Sequence, residues 1–296
     1  NSRRWGINSK AGLDMISGTQ LGGDTFVRRD QFMLLAVNEL SRQHGLEADE
    51  FTKGKTLRKF GRTTNADAGI KTTVATFQGA VVNETFATGN TVDYIVSDSA
   101  SDTGTVVVEG HILVGTSMVS STQQVTLTGT TPVALVPLFR ANRIAIPDGT
   151  IASPSVDLVG NVYVYDSTLA GGVTAGTPNT ATATKVMVAA GNNQSAKCAT
   201  SISGSDVLII TSVYAAVQRG NGSISADVDL ETRKLGGVWK PLGLEASLRS
   251  NSQSSMDLPQ RPYAIIMPDT DVRMVATTDG ANGQVSGHFH GVFASV

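Results

Sequence analysis

The chain has 296 residues, 40% of them hydrophobic, enough to bury one large core or two ordinary ones without cross-links. Its 23 Lys and Arg nearly balance 25 Asp and Glu, a net charge of −2 that excludes the strong positive field of a general nucleic-acid binder. Cys198 is the only cysteine, which excludes an intrachain disulfide framework and a cysteine-rich zinc site.

The longest apolar runs, such as Val207 to Ile210, fall far short of the ~20 residues a bilayer helix needs, so no membrane span is expected. The sequence starts at Asn1, which reads as a trimmed start, and no signal-peptide pattern remains. Charge is unevenly placed. Residues 1–66 hold 11 Lys and Arg against 7 Asp and Glu, a net +4, and the remaining 12 against 18 make the rest −6. Such asymmetry suits an arm that meets an acidic surface, on another protein or another copy, and it also suits an ordinary solvated segment.

Within residues 1–66 one helix is predicted, about 30–44. Asp30 can cap its first turn, Phe32, Met33, Leu34, Leu35, Ala36, Val37 and Leu40 follow, and Gly45 can end it. A helix apolar on most faces has to be covered, by its own body or by a neighbour. Phe51 to Phe60 carries Lys53, Lys55, Arg58 and Lys59 around Gly54 and reads as an irregular linker. Expected partner or oligomer contacts are Phe32, Leu34, Val37, Leu40, Arg58, Lys59 and Arg62.

From about Gly69 the texture changes to short Val, Thr, Ala and Ser runs broken by Gly, Asn and Asp, the pattern of an all-β sandwich. The clearest strand is Ile224 to Glu231, in which Ile224, Ala226, Val228 and Leu230 alternate with Ser225, Asp227, Asp229 and Glu231. Asn221-Gly222, Gly236-Gly237, Asp279-Gly280 and Asn282-Gly283 have hairpin turn chemistry and predict a meander. The last strand, Gln284 to Ala294, places Phe289 and Phe293 on one side and His288 and His290 on the other. Gly171-Gly172, Gly176 and Pro178 mark a junction near residue 170, with the strand Lys185 to Ala189 assigned beyond it. The expected fold is mainly β: two β-sandwich units of jelly-roll or immunoglobulin-like type, 67–170 and 171–296, preceded by a basic N-terminal arm, 1–66, with one helix.

Chemistry-bearing residues are few. His288 and His290 share a strand face and suit zinc or copper, but two ligands are too few for a site. His44 and His111 have no motif around them. Asp227, Asp229 and Glu231 could pair across a sugar, or simply solvate a sheet face. Asp93 and the Asp98 to Asp102 run could hold calcium but lack EF-hand spacing and read better as a Ser/Asp turn. Cys198 has no recognisable base, and Trp239 reads as a core or interface anchor more readily than as a sugar platform. No nucleophile elbow, P-loop or dinucleotide fingerprint is present. Neither an enzyme nor a cofactor is expected.

The stretches SASDTGTVVVEGH, VTLTGTTPVAL, FRANRIAI and GNVYVYD, then GNNQS, ADVDLETRKLGGVWKPLG and VRMVATTDGANGQVSGHFHGVF, occur in an order that resembles β-rich structural proteins of tailed-bacteriophage particles. The likeness covers roughly residues 60–296, and Ile202-Ser203-Gly204-Ser205 departs from an apolar-Pro-Ala-Gly turn expected there. It implies a virion location and a role as a capsid decoration (cement) protein that clamps shell subunits. A tail or tail-fibre component touching a host glycan is the alternative. The implied partners are further copies of the chain, a trimer being the first expectation, and the major capsid protein or another virion protein.

Overall fold

The computed structural model describes residues 55–66, 68–78, 84–147, 157–218, 224–249, 264–280 and 283–295. The predicted helix with Phe32, Leu34, Val37 and Leu40 lies outside them. All described residues belong to one compact unit, Gly54–Ser295. Its architecture is mainly β, in small antiparallel sheets.

One sheet is built on two long strands, β13 (Asp206–Gln218) and β18 (Gly283–Ser295), paired from Asp206↔Ser295 to Gln218↔Gln284. Val213, Ala215 and Val217 point inward and alternate with Ser212, Tyr214 and Ala216. β16 (Ala264–Ile266) flanks β13, and β1 (Lys55–Ala66) flanks β18, with Phe60 opposite His288. The stretch read as an irregular linker is therefore an integral strand in its second half. Its alternation was hidden because the inward positions are Leu57, Lys59, Gly61 and Thr63 while Phe60 faces out. Gly61 is required there: a Cβ would stand 2.0 Å from the Val74 carbonyl oxygen and 2.6 Å from the Cys198 nitrogen.

A second sheet has the order β12-β17-β14-β15, from β12 (Ala199–Ser201), β14 (Ser225–Lys234), β15 (Lys240–Arg249) and β17 (Thr270–Thr278), with β2 (Thr72–Thr73) also on β17. The predicted register of Ile224 to Leu230 is the observed one: Ile224, Ala226, Val228 and Leu230 are each 1% exposed. Val213, Ala215, Val285 and Phe289 of the first sheet and Val228, Leu230, Met274 and Ala276 of the second form one hydrophobic cluster. Gly236, at φ 75°, turns the β14–β15 hairpin as expected. The meander fails elsewhere, because β13 to β14 and β17 to β18 cross from one sheet to the other. Asn221-Gly222 and Asn282 lie outside the described residues; their turn chemistry suits a hairpin and an arch between layers alike, since both need only a chain reversal.

A second pair of sheets contains β11-β8-β3-β6 and β5-β4-β7. The first comprises β3 (Val92–Ser97), β6 (Val133–Leu138), β8 (Val162–Asp166) and β11 (Thr184–Val188); the second β4 (Thr105–Val114), β5 (Ser117–Thr126) and β7 (Arg140–Ala145). Val92, Ile95, Val162, Val164 and Val186 meet Val106, Val108, Val125 and Ile144 in a separate cluster. The Gly-rich stretch after residue 166 holds α1 (Ser167–Ala170), capped by Asp166 and ended by Gly171 at φ 63°, and then the short strand pair β9 (Val173–Thr174) and β10 (Thr177–Pro178). It covers the outer face of the four-stranded sheet, where Ala170 and Ala183 pack with Tyr163, Tyr165 and Met187. The chain does not leave this sheet at residue 170: β11 returns to pair with β8. The chain leaves the first cluster between Val74 and Val92 and returns to it between Val188 and Cys198.

Val228→Asp is expected to destabilise the protein by about 3–5 kcal/mol, because it buries an unpaired charge, while Asp227→Asn stays within about 1 kcal/mol. Urea unfolding of the two variants checks the order. Gly61→Ala should cost more than Asp227→Asn, since β1 would have to retreat from Val74 and Cys198.

Candidate functional site

Inward-facing charges lie where the two clusters meet. Arg140 on β7 is 5% exposed and Asp271 on β17 is fully buried; Arg140 donates through Nε (2.9 Å) and Nη2 (3.1 Å) to the two Asp271 oxygens. Asp271 also accepts from Arg233 Nη2 at 2.7 Å and Ser201 Oγ at 2.6 Å. Burial alone would raise its pKa, but the hydrogen bonds and charge of Arg140, with Ser201 and Arg233, hold the carboxyl below its ordinary value. Lys197, also buried, donates to Glu84 Oε1 at 2.6 Å and to the carbonyls of Ala141 and Lys185. Lys59 reaches from β1 to the Asn142 carbonyl at 2.7 Å, and burial pushes its ammonium down to about 7. Asn142 Nδ2 donates to His111 Nδ1 at 3.0 Å; burial pushes His111 down to about 4, leaving a neutral acceptor ring. At the edge, Asp269 accepts from Met118 N at 2.7 Å and from Ser117 Oγ.

An alternating stack of guanidinium groups and rings extends this seam. Arg140 lies 3.7 Å from the Phe139 ring centroid and 5.0 Å from Phe86, Arg233 lies between Phe86 and Trp239, and Arg273 stands 4.0 Å from Trp239. Trp239 is thus a half-buried anchor over arginines. Arg273 is held in turn by Glu231, which also takes Lys71 at 2.7 Å. Glu231, read as solvated, is 3% exposed.

The other carboxylates have structural partners. Asp227 accepts from Ser247, and Asp229 lies 3.8 Å from Lys71. Asp98 accepts from the Asn161 backbone and side chain and from Tyr163, whose hydroxyl is pushed up to about 12 by burial and by that carboxylate. Asp102 takes Ser97, Val159 N and Gly160 N, so the Ser/Asp run works as a turn that pins the neighbouring loop. Cys198 is buried among apolar groups, which raises its thiol pKa. His288 and His290 stack with ring centroids 4.8 Å apart, and among the described residues no group of three or more His, Cys, Asp and Glu could hold a metal. No helix among them is long and apolar enough to cross a membrane.

Of the expected contact residues, Arg58 and Arg62 are exposed on the outer face of β1. Lys59 is not a surface contact: its register position turns it inward, onto Asn142. Sequence reasoning passed over Arg140, Asp271, Lys197 and Glu84. The local pattern carried no signal for them: Asp271 and Arg273 alternate with the core residues Val272 and Met274 and so read as a wet strand face.

A cleft of about 470 Å³ opens beside the outer face of the β1-β18-β13 sheet. Phe60, His288 and Tyr214 are cross-strand neighbours on its floor, and the Tyr214 and His288 rings stack at 4.8 Å and 11°. Its rim includes Arg62, Thr76, Asn192, Asn193, Gln194 and Ser286. The bridge between Ala145 and Gln194 and the Ile146 N to Asn193 O bond fix the 192–194 loop to β7 and the residue after it.

No family model and no curated protein sequence matches the chain. Among solved structures it is similar to that of the infectious bursal disease virus Gt strain (8% identity, TM-score 0.21), covering 83% of this chain and 77% of that one. The VP2 subviral particle of infectious bursal disease virus gives 10% identity and TM-score 0.20, covering 83% and 73%. At such scores the likeness extends to neither a shared fold nor a shared role.

Asp271→Asn should cost about 3–5 kcal/mol, since it leaves Arg140 and Arg233 without their counter-charge, whereas Glu109→Gln at the exposed Arg143 pair should stay within about 0.5 kcal/mol. Denaturant midpoints test the contrast. For His111 the folded chain refuses a proton that the unfolded chain binds between pH 6.5 and about 4, so stability falls as pH drops through that window, by up to about 3 kcal/mol. His111→Gln should flatten that part of the stability profile measured by urea unfolding.

Proposed function

We propose that the chain is a virion structural protein of a tailed phage, a capsid decoration (cement) protein that stabilises the head shell by self-assembly and arm-mediated contacts. The observation that supports this reading is the buried charged seam, in which Arg140, Asp271, Lys197 and Lys59 join the two clusters within one compact unit. We read the two paired-sheet clusters as two sandwich-like units held in a fixed relation. Compact bodies repeated on a lattice gain avidity from many weak contacts, and a closed homo-oligomer, a trimer on the resemblance, would cover the apolar helix that the sequence predicts for the arm. The resemblance to phage structural proteins is carried by stretches that form the turns and strands of this scaffold, β4, β7, β8, the β14–β15 hairpin, β17 and β18. The role is non-enzymatic, and the location is the virion.

A second reading, a tail or tail-fibre component contacting the host surface, is favoured by the aromatic cleft over Phe60, Tyr214 and His288. A density map of the whole particle separates the two. Many copies bound to the major capsid protein on the head lattice are expected, and a few copies confined to the tail would overturn the decoration role.

The attachment test must respect β1. Deleting residues 1–66 would strip an edge strand from the core sheet, so the cut belongs before Lys55. The fragment 55–296 is expected to fold, melt cooperatively and lose attachment to particles lacking the native protein. Equal binding by fragment and full chain would move the attachment surface to the β body. High salt should weaken attachment of the full chain only in part, because screening reaches Arg58 and Arg62 and leaves apolar contacts of the arm.

A further inference from the structure

We propose that the cleft over β1, β18 and β13 is a binding subsite for a neutral pyranose sugar of a polysaccharide. This deepens the host-surface reading above and rests on it.

The floor is a row of rings running across the strands. Phe60 and Tyr214 are the register partners of His288 on either side, Phe60 is 40% exposed, and His288 stacks on both Tyr214 and His290 at 4.8 Å. A pyranose has one flat face of C–H groups and an equatorial girdle of hydroxyls. Such a face packs on rings, and the girdle needs donors and acceptors around them. The rim supplies these as neutral amides and hydroxyls from Asn192, Asn193, Gln194, Thr76 and Ser286. Among the described residues, the Asn193 and Gln194 side chains make no hydrogen bond, although the backbone of each is fastened to residues 145 and 146. The loop is therefore held in place with the amides of Asn193 and Gln194 available, while Asn192 Nδ2 donates to the Ala189 and Ala190 carbonyls and Thr76 Oγ1 to the Arg62 carbonyl, which leaves their oxygens as acceptors.

Charge narrows the ligand class. Among the described residues no carboxylate lines the cleft, which argues against a cationic ligand and against the two-carboxylate chemistry of glycoside hydrolysis, so this site would hold a sugar without cutting it. The one cation among the described lining residues, Arg62, is bonded to the Gln284 side-chain oxygen at 2.7 Å. Burial lowers the His288 pKa, so its ring is uncharged at neutral pH, and with its faces stacked on Tyr214 and His290 it braces the row beside the exposed Phe60 ring and adds no cation. A volume of about 470 Å³ suits one or two sugar rings.

The test is native affinity electrophoresis of the full chain in gels containing dextran, laminarin, yeast mannan or agarose-derived galactan, with dextran sulfate as a charge control. At least one neutral polysaccharide should retard the protein. Phe60→Ala, at an exposed ring, and Tyr214→Ala should each weaken that retardation at least tenfold while Phe60→Ala leaves the thermal melt unchanged. Retardation by none of the four neutral polymers, by dextran sulfate alone, or to the same extent in the Phe60→Ala variant would overturn the proposal. Those outcomes leave the particle map untouched, whereas a head-lattice location with clear sugar retardation would reject the tail assignment and keep the subsite.

Discussion

The Arg140–Asp271 contact constrains the rest of the molecule. Both groups are buried, each belongs to a different sheet system, and neither tolerates burial without the other. β7 and β17 must therefore meet in one orientation, while Ser201 and Arg233, the register partners of Asp271 on β12 and β14, complete the carboxylate's shell from within its own sheet. Lys197 and Lys59 repeat the solution a few residues away by taking backbone carbonyls of Ala141 and Asn142, the two residues after Arg140. An apolar interface could slide by a strand register; one built from directional charged bonds cannot, and specificity of docking is the gain offered in return for desolvation.

This arrangement gives the rings and arginines between the sheets their order. Phe139, Arg140, Phe86, Arg233, Trp239 and Arg273 alternate because each guanidinium has one edge committed to a carboxylate or carbonyl and its flat faces left for aromatic contact. The outer face of the β1-β18-β13 sheet carries a row of rings that the seam does not use. A scaffold fixed internally and an aromatic cleft on a rigid sheet are compatible with one protein that both assembles and recognises a surface.

Much of the fold was legible where a strand has one wet face. Ile224 to Leu230 and the sides of Phe289 and His288 follow directly from period-two alternation, because water on one side and core on the other leave that trace. The trace disappears in β1, where Lys59 and Gly61 point inward and Phe60 outward. Lys59 is inward because a carbonyl awaits it, and Gly61 because two backbones pass within contact; neither reason is local in sequence. The same limit hid the junction. Gly171, Gly172 and Gly176 mark real turns, but those turns fold a flap over Tyr163 and Tyr165 before β11 rejoins β8. Within the cleft, Phe60, Tyr214 and the 192–194 loop come from separate parts of the chain and are joined only by strand register and the Ala145 bridge.

Native-state hydrogen exchange tests most directly whether the seam makes one body of two cores. If it does, the slowest amides of Val108 and Val164 in one cluster and of Val228 and Phe289 in the other exchange through a single global opening, with a common free energy and a common dependence on denaturant. Two groups of amides with separate opening energies, one core releasing its protection while the other stays closed, would contradict the account.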